Sequence, residues 1–537
     1  MGLLDGIKKK FVVAVPSLHH AHPRYRWWVL FNVMIGTFMA VLDATIVDVA
    51  LTKIMGSFGA DIDKVEWVIT AYMLVFAVML PTSGWVADHF GYKRTYFTGL
   101  MFFTLGSFLC GFAWDENALI MFRVIQGAGA GLMMPVGMAI VTREFPVEKR
   151  GIALGFWTIA AAASVSLGPL IGGYLVDNIG WNAIFDINVP VGMVAMFATL
   201  VIQREYRMEQ SRSFDIVGFL SGSIFVSALL LALADGNASW NTGGWSSLFI
   251  ITCFFISAVA LIVFLVTEFT TEHPLIDLKL LKNFNFGIAN AVMFIFGMGM
   301  FGSTFLLPLY LQNALGYTAL QAGAVFLPVG IVQALMSPTA GFISDKINPK
   351  IPAVIGLAML GIGLLLNSSL SLFSESNYIM IPLLLRGFGM GLLFTPLATL
   401  ALAEIPRHKM AQASGLFNII RQIGGSFGVA IMGTLLTRRM MYHTATFGQA
   451  VDQGSPAYRQ VAYGLSRFAQ VFDGSAMGTA MVQAKALIIS HIAQQAFVRA
   501  VCDDFFVAAI VTLIGVIPIM VLRAHKKQKG EHIAAME

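Results

Sequence analysis

The chain has 537 residues, of which 57% are hydrophobic and 12% are charged, and its mean hydropathy is +0.77. A soluble globular domain carries about 25% charged residues, so the composition excludes a soluble fold and indicates an integral membrane protein. The net charge of +5 comes with no basic face or aromatic–basic module, which argues against nucleic-acid binding. The cysteines Cys110, Cys253 and Cys502 are scattered and have no metal-ligand spacing, so neither a disulfide framework nor a metal site is predicted.

Fourteen segments are long and apolar enough to cross a hydrocarbon core of about 30 Å, which needs roughly 20 residues per helix. They lie at 27–51, 65–86, 95–113, 118–141, 152–176, 183–203, 214–234, 247–268, 286–312, 320–343, 351–370, 378–402, 410–437 and 503–523. The chain is therefore predicted to be an all-α polytopic membrane protein. The residues before the first span contain only a five-residue apolar run and no small-residue cleavage site, so we expect no cleaved signal peptide.

Lysine and arginine are distributed unequally between the two sides of the membrane. With an even number of spans, both terminal segments share one side with every second loop, and that side holds most of these residues. The opposite side has two in the loop 51–65 and six in the long segment 438–502. The positive-inside rule therefore places both termini in the cytoplasm.

The sequence contains an internal repeat. The segment GWVADHF at Gly84 is similar to GFISDKI at Gly341, and Arg123 is matched by Arg386 at a nearly constant offset. The first and last six spans match in this way, whereas the two between them do not, so the predicted arrangement is 6+2+6. Repeated bundles with a site at their interface are typical of secondary transporters. The predicted parts are a cytoplasmic arm (1–26), an N-terminal six-helix bundle (27–203), two extra helices with linkers (204–285), a C-terminal six-helix bundle (286–523) that includes an extracytoplasmic loop (438–502), and a cytoplasmic tail (524–537).

Two charged residues stand inside apolar spans of the first half. Arg123 begins the fourth span, where an arginine costs about 2.5–3.5 kcal/mol on insertion scales and therefore needs the bundle interior and an acidic partner. Asp43, the first polar residue after a long apolar run in the first span, is the predicted partner. An ionisable pair at membrane depth indicates proton transfer, with a purely structural ion pair as the alternative. Asp48 is either a second acid of this site or a residue that lines the outer cavity.

Further polar residues at membrane depth are candidates for the substrate cavity. They are Asp48, Gln126, Arg386 and Arg421. Arg421 has no counterpart in the first half, where Ala161 stands, so it either binds substrate or pairs with a carboxylate of the second half. The histidines at 19, 20 and 22 lack an acidic or cysteine partner, which favours a solvated arm.

Three motifs resemble those of a known family. The segment G-x-x-x-D-x-x-G-x-K-R, with Gly84, Asp88, Gly91 and Arg94, resembles the signature loop of the major facilitator superfamily, where it stabilises the outward-open state. The segment LDATIVDVAL, which contains Asp43, resembles the first-helix motif of its fourteen-helix drug:proton antiporter family, the EmrB/QacA type. The run GPLIGG in the fifth span resembles the antiporter motif of the superfamily, carried here by Gly168, Pro169, Gly172 and Gly173.

The resemblance implies a proton-coupled multidrug efflux antiporter of the bacterial inner membrane that exports hydrophobic or amphipathic compounds by alternating access. It implies no cofactor beyond the proton motive force and no enzymatic activity. The alternatives are an exporter of one specific metabolite or siderophore and a nutrient symporter, against which the fifth-span motif argues. Residues 476–500 are predicted to form an amphipathic helix that runs into the last span. A similar loop in EmrB-type pumps implies a periplasmic adaptor and an outer-membrane channel as partners.

Overall fold

The computed structural model describes residues 22, 24–60, 62–207, 214–238, 240–272, 274–406, 409–452, 454–473 and 476–522. Within these ranges the regular structure is helical and no strand occurs. The predicted tail and most of the predicted arm, including His19 and His20, lie outside the described residues. The α-helices are α1 (Tyr25–Phe58), α2 (Ile62–Phe90), α3 (Tyr92–Gly111), α4 (Glu116–Glu144), α5 (Arg150–Asn178), α6 (Ala183–Asp186), α7 (Asn188–Ile202), α8 (Ile216–Asp235), α9 (Leu248–Thr270), α10 (Phe284–Asn313), α11 (Ala319–Ala324), α12 (Leu327–Lys346), α13 (Lys350–Asn367), α14 (Ser376–Ala403), α15 (Met410–Ala450), α16 (Pro456–Asp473), α17 (Met477–Ile514) and α18 (Val516–Val521).

Thirteen helical segments in the described part of the chain are long and apolar enough to cross a membrane. Helix α3 is outside this set because its basic start and its Gly, Ser and Thr residues lower its hydropathy. Its 20 residues are nevertheless long enough to span a bilayer, and Gly106 lets it lie directly against the backbone of α4 at Gln126. With α3 the count is fourteen, as the sequence predicts.

The spans form two helical bundles whose contact runs along the length of α5, from Gly151 beside Gly341 to Gly173 beside Leu320. Helix α5 of the first bundle packs along α12 of the second, and α2 packs on α15. The carboxylate of Asp345, at the end of α12, accepts hydrogen bonds from the backbone N–H groups of Gly151 (3.0 Å) and Ile152 (2.9 Å). These N–H groups are free at the start of α5 because a helix leaves its first four donors unpaired. Asp345 therefore joins the two bundles at a helix N-terminus, where a negative charge is favourable.

The two extra helices, α8 and α9, pack on each other and lie beside the junction of α2 and α15. Ser257 of α9 donates to the carbonyl oxygen of Phe225 at 3.2 Å. Trp245, in the turn between them, donates to Thr434 of α15 at 2.8 Å. After α9, Asp277 forms an ion pair of 2.5 Å with Lys409. The extra pair is thus attached to the second bundle at both ends of α9.

The segment 438–502 differs from the predicted loop at its start. Helix α15 does not end near residue 437 but continues to Ala450, because a helix satisfies its own backbone hydrogen bonds and can continue into water with polar side chains. The predicted helix over 476–500 is confirmed as the first part of α17, which runs without a break into the last span. Asp503 of α17 contacts His443 at 2.8 Å and Arg439 at 3.7 Å, both on α15.

The lengths of α15 and α17 show that the segment 438–502 extends beyond the membrane as helix. With 41 residues in α15 and 38 in α17, the helices are about 60 Å long at 1.5 Å per residue, twice the hydrocarbon thickness of about 30 Å. Since their other ends meet the basic cytoplasmic side, the excess extends on the opposite side. We call the part formed by 438–450, α16 and 477–502 the outer projection.

Candidate functional site

Asp43 and Arg123 form an ion pair in the centre of the first bundle. Nη1 of Arg123 donates to Oδ2 of Asp43 at 2.5 Å, and the two side chains are 1% and 0% exposed, respectively. Nε of Arg123 also donates a hydrogen bond, to the carbonyl oxygen of Val68 at 3.0 Å. The arginine thus links α4 to both α1 and α2, and the partner predicted from the sequence is the one found.

Two amides complete the hydrogen bonding of the carboxylate. Gln126, one turn after Arg123 on α4, donates from Nε2 to Oδ1 of Asp43 at 2.8 Å and accepts from Nη1 of Arg123 at 2.7 Å. Asn188, the first residue of α7, donates to the same Oδ1 at 3.3 Å. The carboxylate therefore accepts hydrogen bonds from three side chains on two helices besides its own. This set of donors matches an ionised carboxylate, which accepts only.

The surroundings of the pair are aromatic and dry. The guanidinium carbon of Arg123 lies 4.1 Å from the ring centroid of Tyr72 and 5.7 Å from that of Phe185. Cation–π contacts of this kind favour the charged arginine when water is excluded. Because the local dielectric is low, the attraction between the two charges is much stronger than in water. Protonation of Asp43 would remove one of those charges and with it the electrostatic attraction between α1 and α4.

Gln126, predicted as a cavity residue, lies in this network and is fully buried. Asp48 is on α1, about one and a half turns closer to the outer side than Asp43, and its side chain is outside the described part of the structure. Arg386 on α14 and Arg421 on α15 lie in the second bundle and make no contact with the Asp43 network among the hydrogen bonds and ion pairs described. The four predicted cavity residues are thus divided between the two bundles.

The signature-loop residues lie at the cytoplasmic ends of α2 and α3. A Cβ on Gly84 would lie 3.0 Å from the backbone of Gln412 on α15, so this position is part of the contact between bundles. Asp88 is buried and accepts a hydrogen bond from Tyr92 at 3.2 Å. Gly91 has a φ of +100°, a conformation that residues with a Cβ rarely adopt.

Glu205, in the segment after α7, contacts the same loop. Its Oε2 lies 3.6 Å from Nε of Arg94, and its Oε1 accepts from the backbone N–H of Lys93 at 3.1 Å. A Cβ on Gly91 would overlap its carboxylate. The pKa of Glu205 is raised above its usual value, because the effect of burial is larger than the lowering by the hydrogen bonds from Lys93 and Arg94 and by the charge of Arg94.

The antiporter-motif residues place α5 against α1, one turn from Asp43. A Cβ on Gly168 would overlap the hydroxyl of Thr45, and one on Gly172 would lie 2.7 Å from Ile46. On its other side the motif faces the second bundle, where Gly323 of α11 approaches Pro169 and Leu320 approaches Gly173. The motif therefore lies between the helix that carries Asp43 and the opposite bundle.

Sequence reasoning missed several partners of these residues. They are Tyr72, Ser107, Asn188 and Glu205 around the two motifs, and Asp345 at the bundle contact. Asn188 could have been found, because it is a polar residue at the start of an apolar span. Asp345 could also have been found, because it stands in the repeat at Gly341 where the first half has Asp88. Tyr72, Ser107 and Glu205 follow ordinary patterns in the sequence, and only their positions in space give them a role.

The comparisons with known proteins agree with this geometry. The family model described as Major Facilitator Superfamily matches residues 33–215 and 215–429. The chain is 32% identical over 482 residues to the multidrug export protein EmrB of Haemophilus influenzae, covering 88% of this chain and 91% of that protein. It is 35% identical over 406 residues to the multidrug resistance protein Stp of Mycobacterium tuberculosis, covering 75% and 74%. The solved structure of human organic anion transporter MFSD10 matches with a TM-score of 0.61, over 92% of this chain and 99% of that one; at 11% identity this likeness shows the fold alone.

The chain belongs to the major facilitator superfamily, and within it to the fourteen-helix drug:proton antiporter family. It is a multi-pass protein of the bacterial inner membrane.

Proposed function

We propose that the protein exports hydrophobic or amphipathic compounds across the bacterial inner membrane in exchange for protons. The observation that carries the proposal is the buried Asp43–Arg123 pair, an ionisable group at membrane depth with a fixed cation beside it. The names of relatives such as EmrB and Stp support the same direction of transport and a broad range of substrates.

In this mechanism Asp43 carries the proton. A proton that arrives from the outer side neutralises Asp43, so that the carboxyl group releases Arg123 and the hydrogen bonds from Gln126 and Asn188 rearrange. Because these partners lie on α4 and α7 whereas Asp43 lies on α1, the change alters how the helices of the first bundle pack. The antiporter motif on α5 lies against α1 at Thr45 and against the second bundle at Gly323, which provides a path from protonation to the movement between bundles.

The proposal is tested in proteoliposomes that contain the full chain and a pH-sensitive dye. Addition of a transported compound to the wild type should release protons, and an imposed pH difference should drive the compound against its gradient. Asp43→Asn should bind the compound but lose both effects. The control is Asp177→Asn, the same change at an exposed carboxylate on α5. Compound flux that ignores the pH difference in the wild type would exclude the mechanism.

We further propose that the outer projection binds a periplasmic adaptor protein, which passes substrates to an outer-membrane channel. The projection exposes large apolar side chains away from the bilayer, among them Val471 (79% exposed) and Val482 (67%). Between its helices lies a cavity of about 440 Å³ lined by apolar residues and His491. Exposed apolar surface of this kind marks protein interaction sites.

A further inference from the structure

Two arginines of the second bundle are at membrane depth and have no acidic partner among the residues that the structure describes. Arg386 on α14 is 2% exposed and donates from Nη2 to the hydroxyl of Thr304, while its Nε and Nη1 have no hydrogen-bond partner in the described part of the chain. Arg421 on α15 is half-buried and forms no hydrogen bond or ion pair with the described residues, and its Nε is buried without a partner. In the first bundle the buried arginine, Arg123, does have an acidic partner, because it forms an ion pair with Asp43.

Both guanidinium groups lie against the same helix. The guanidinium carbon of Arg421 is 5.8 Å from the ring centroid of Phe301 on α10, and Arg386 binds Thr304, three residues further along that helix. Positions three residues apart share one helix face. Asn418, one turn before Arg421 on α15, reaches Met138 of the first bundle at 3.7 Å. Arg421 therefore lies near the side of α15 that faces the first bundle, and Arg386 contacts the same face of α10 as Arg421 does.

The carboxylates of the second bundle that the structure describes are engaged elsewhere or distant. Asp345 binds the start of α5, and Glu404 accepts hydrogen bonds from two asparagines near the start of α10. Asp503 pairs with Arg439 and His443 at the base of the outer projection. Asp504 is fully buried and its carboxylate oxygens have no hydrogen-bond partner among the described residues, but the cation whose charge acts on it is Arg439, not Arg386 or Arg421. Two desolvated cations without a counter-charge are costly, and an anion that enters between them would remove that cost.

We propose that Arg386 and Arg421 together bind the anionic group of the transported compound, and that the preferred substrates are amphipathic organic anions. This rests on the proposed export function and adds a substrate class to it. A carboxylate or sulfonate would take the N–H donors of Arg386 and Arg421 that have no partner among the described residues, because a guanidinium group can donate two parallel hydrogen bonds to two oxygens of such an anion. Phe301 beside Arg421 and Phe326, whose ring centroid is 5.7 Å from Arg386, provide apolar surface for the body of the compound.

The test measures binding by isothermal titration calorimetry to the purified full chain, without any gradient. The probes are three compounds with one naphthalene ring that differ in charge: 2-naphthalenesulfonate, 2-naphthylmethylammonium and 2-naphthylmethanol. The wild type should bind the sulfonate about tenfold or more tightly than the other two, the size expected when a hydrogen bond to a charged group is gained. Arg421→Gln should lose this preference, and Arg438→Gln, the same change at an exposed position on α15, should keep it.

Arg386 needs a second variant because loss of a buried side chain can prevent folding. Arg386→Lys keeps the charge but not the fork, and should weaken sulfonate binding severalfold while the protein elutes as the wild type does in size-exclusion chromatography. The proposal is overturned if the wild type binds the ammonium compound as tightly as the sulfonate, or if Arg421→Gln binds the sulfonate as the wild type does.

The same compounds separate this proposal from the proposed function. If the sulfonate binds as expected but an imposed pH difference moves none of the compounds in proteoliposomes, the anion site stands and proton-coupled export fails. If the pH difference drives the ammonium compound while the sulfonate neither binds nor moves, export stands and the anion site fails.

Discussion

Gly151 of α5 and Gly341 of α12 meet backbone to backbone across the two bundles. A Cβ on Gly151 would lie 2.7 Å from the carbonyl oxygen of Gly341, and a Cβ on Gly341 would overlap the carbonyl oxygen of Gly151. Neither obstacle is a flexible side chain, so no rotamer change can relieve it. The cytoplasmic ends of the bundles can approach this closely only because both positions lack a side chain.

A methyl group at this contact should hold the cytoplasmic side open. We expect Gly341→Ala to reduce transport about tenfold or more, since a clash of about 1 Å in a packed contact costs 1–3 kcal/mol. The exposure of position 344, one turn away and buried in the closed contact, reports the change. In inside-out vesicles a Ser344→Cys variant should react with a membrane-impermeant maleimide faster when Gly341→Ala is also present.

The control is Gly464→Ala on α16, where a Cβ meets nothing within 4 Å. Unchanged maleimide reactivity in the Gly341→Ala background would show that the closed contact tolerates the methyl group.

Removal of Arg123 alone should lower the stability of the protein more than removal of both charges of the Asp43–Arg123 pair. Arg123→Gln leaves a buried carboxylate unpaired, which costs about 3–5 kcal/mol. In the double variant with Asp43→Asn no charge remains, so at least about 1 kcal/mol of that loss should be recovered. Thermal unfolding of the purified variants at neutral pH measures the coupling. Additive losses in the double variant would mean that the pair contributes no interaction of its own.

Asp345→Asn should weaken the contact between the bundles without changing the Asp43 site. The amide keeps one acceptor oxygen but loses the negative charge that favours the start of α5, an effect of about 0.3–1 kcal/mol. We expect a several-fold increase in maleimide reactivity of the cysteine at position 344 and unchanged binding of a transported compound. If Asp345→Asn leaves the maleimide reactivity at position 344 unchanged but abolishes binding of the transported compound, Asp345 acts in substrate binding and not in the contact between the bundles.

The outer projection should be dispensable for transport across the inner membrane but required for the tolerance of cells to a transported compound. Val471→Glu together with Val482→Glu places charges in its exposed apolar surface, which should disrupt adaptor binding while proton-coupled flux in proteoliposomes stays at the wild-type level. Cells that carry this variant should lose most of their tolerance to a transported compound. The control is Gln460→Glu together with Ser490→Glu, which adds the same two charges at exposed polar positions of α16 and α17. Full tolerance in the Val471→Glu, Val482→Glu cells would exclude the projection as the adaptor site.

The sequence by itself determined the number of spans, the side of the termini, and the pairing of Asp43 with Arg123. These follow from local rules, because each span must be about 20 apolar residues long and a membrane-embedded arginine needs an acid. The motif at Gly84 and the repeat at Gly341 also identified the fold, since both depend on residues that are adjacent in the chain.

Only the tertiary structure decided which polar groups complete the site. Asn188 and Gln126 bind Asp43 from different helices, and their distance in the sequence carries no information about that contact. The same holds for Asp345 at the start of α5 and for Glu205 beside Gly91. It also holds for Arg386, which has no acidic partner among the described residues although its counterpart Arg123 pairs with Asp43. A hydrogen bond between helices depends on helix rotation and packing, which residue type and spacing along one helix do not fix.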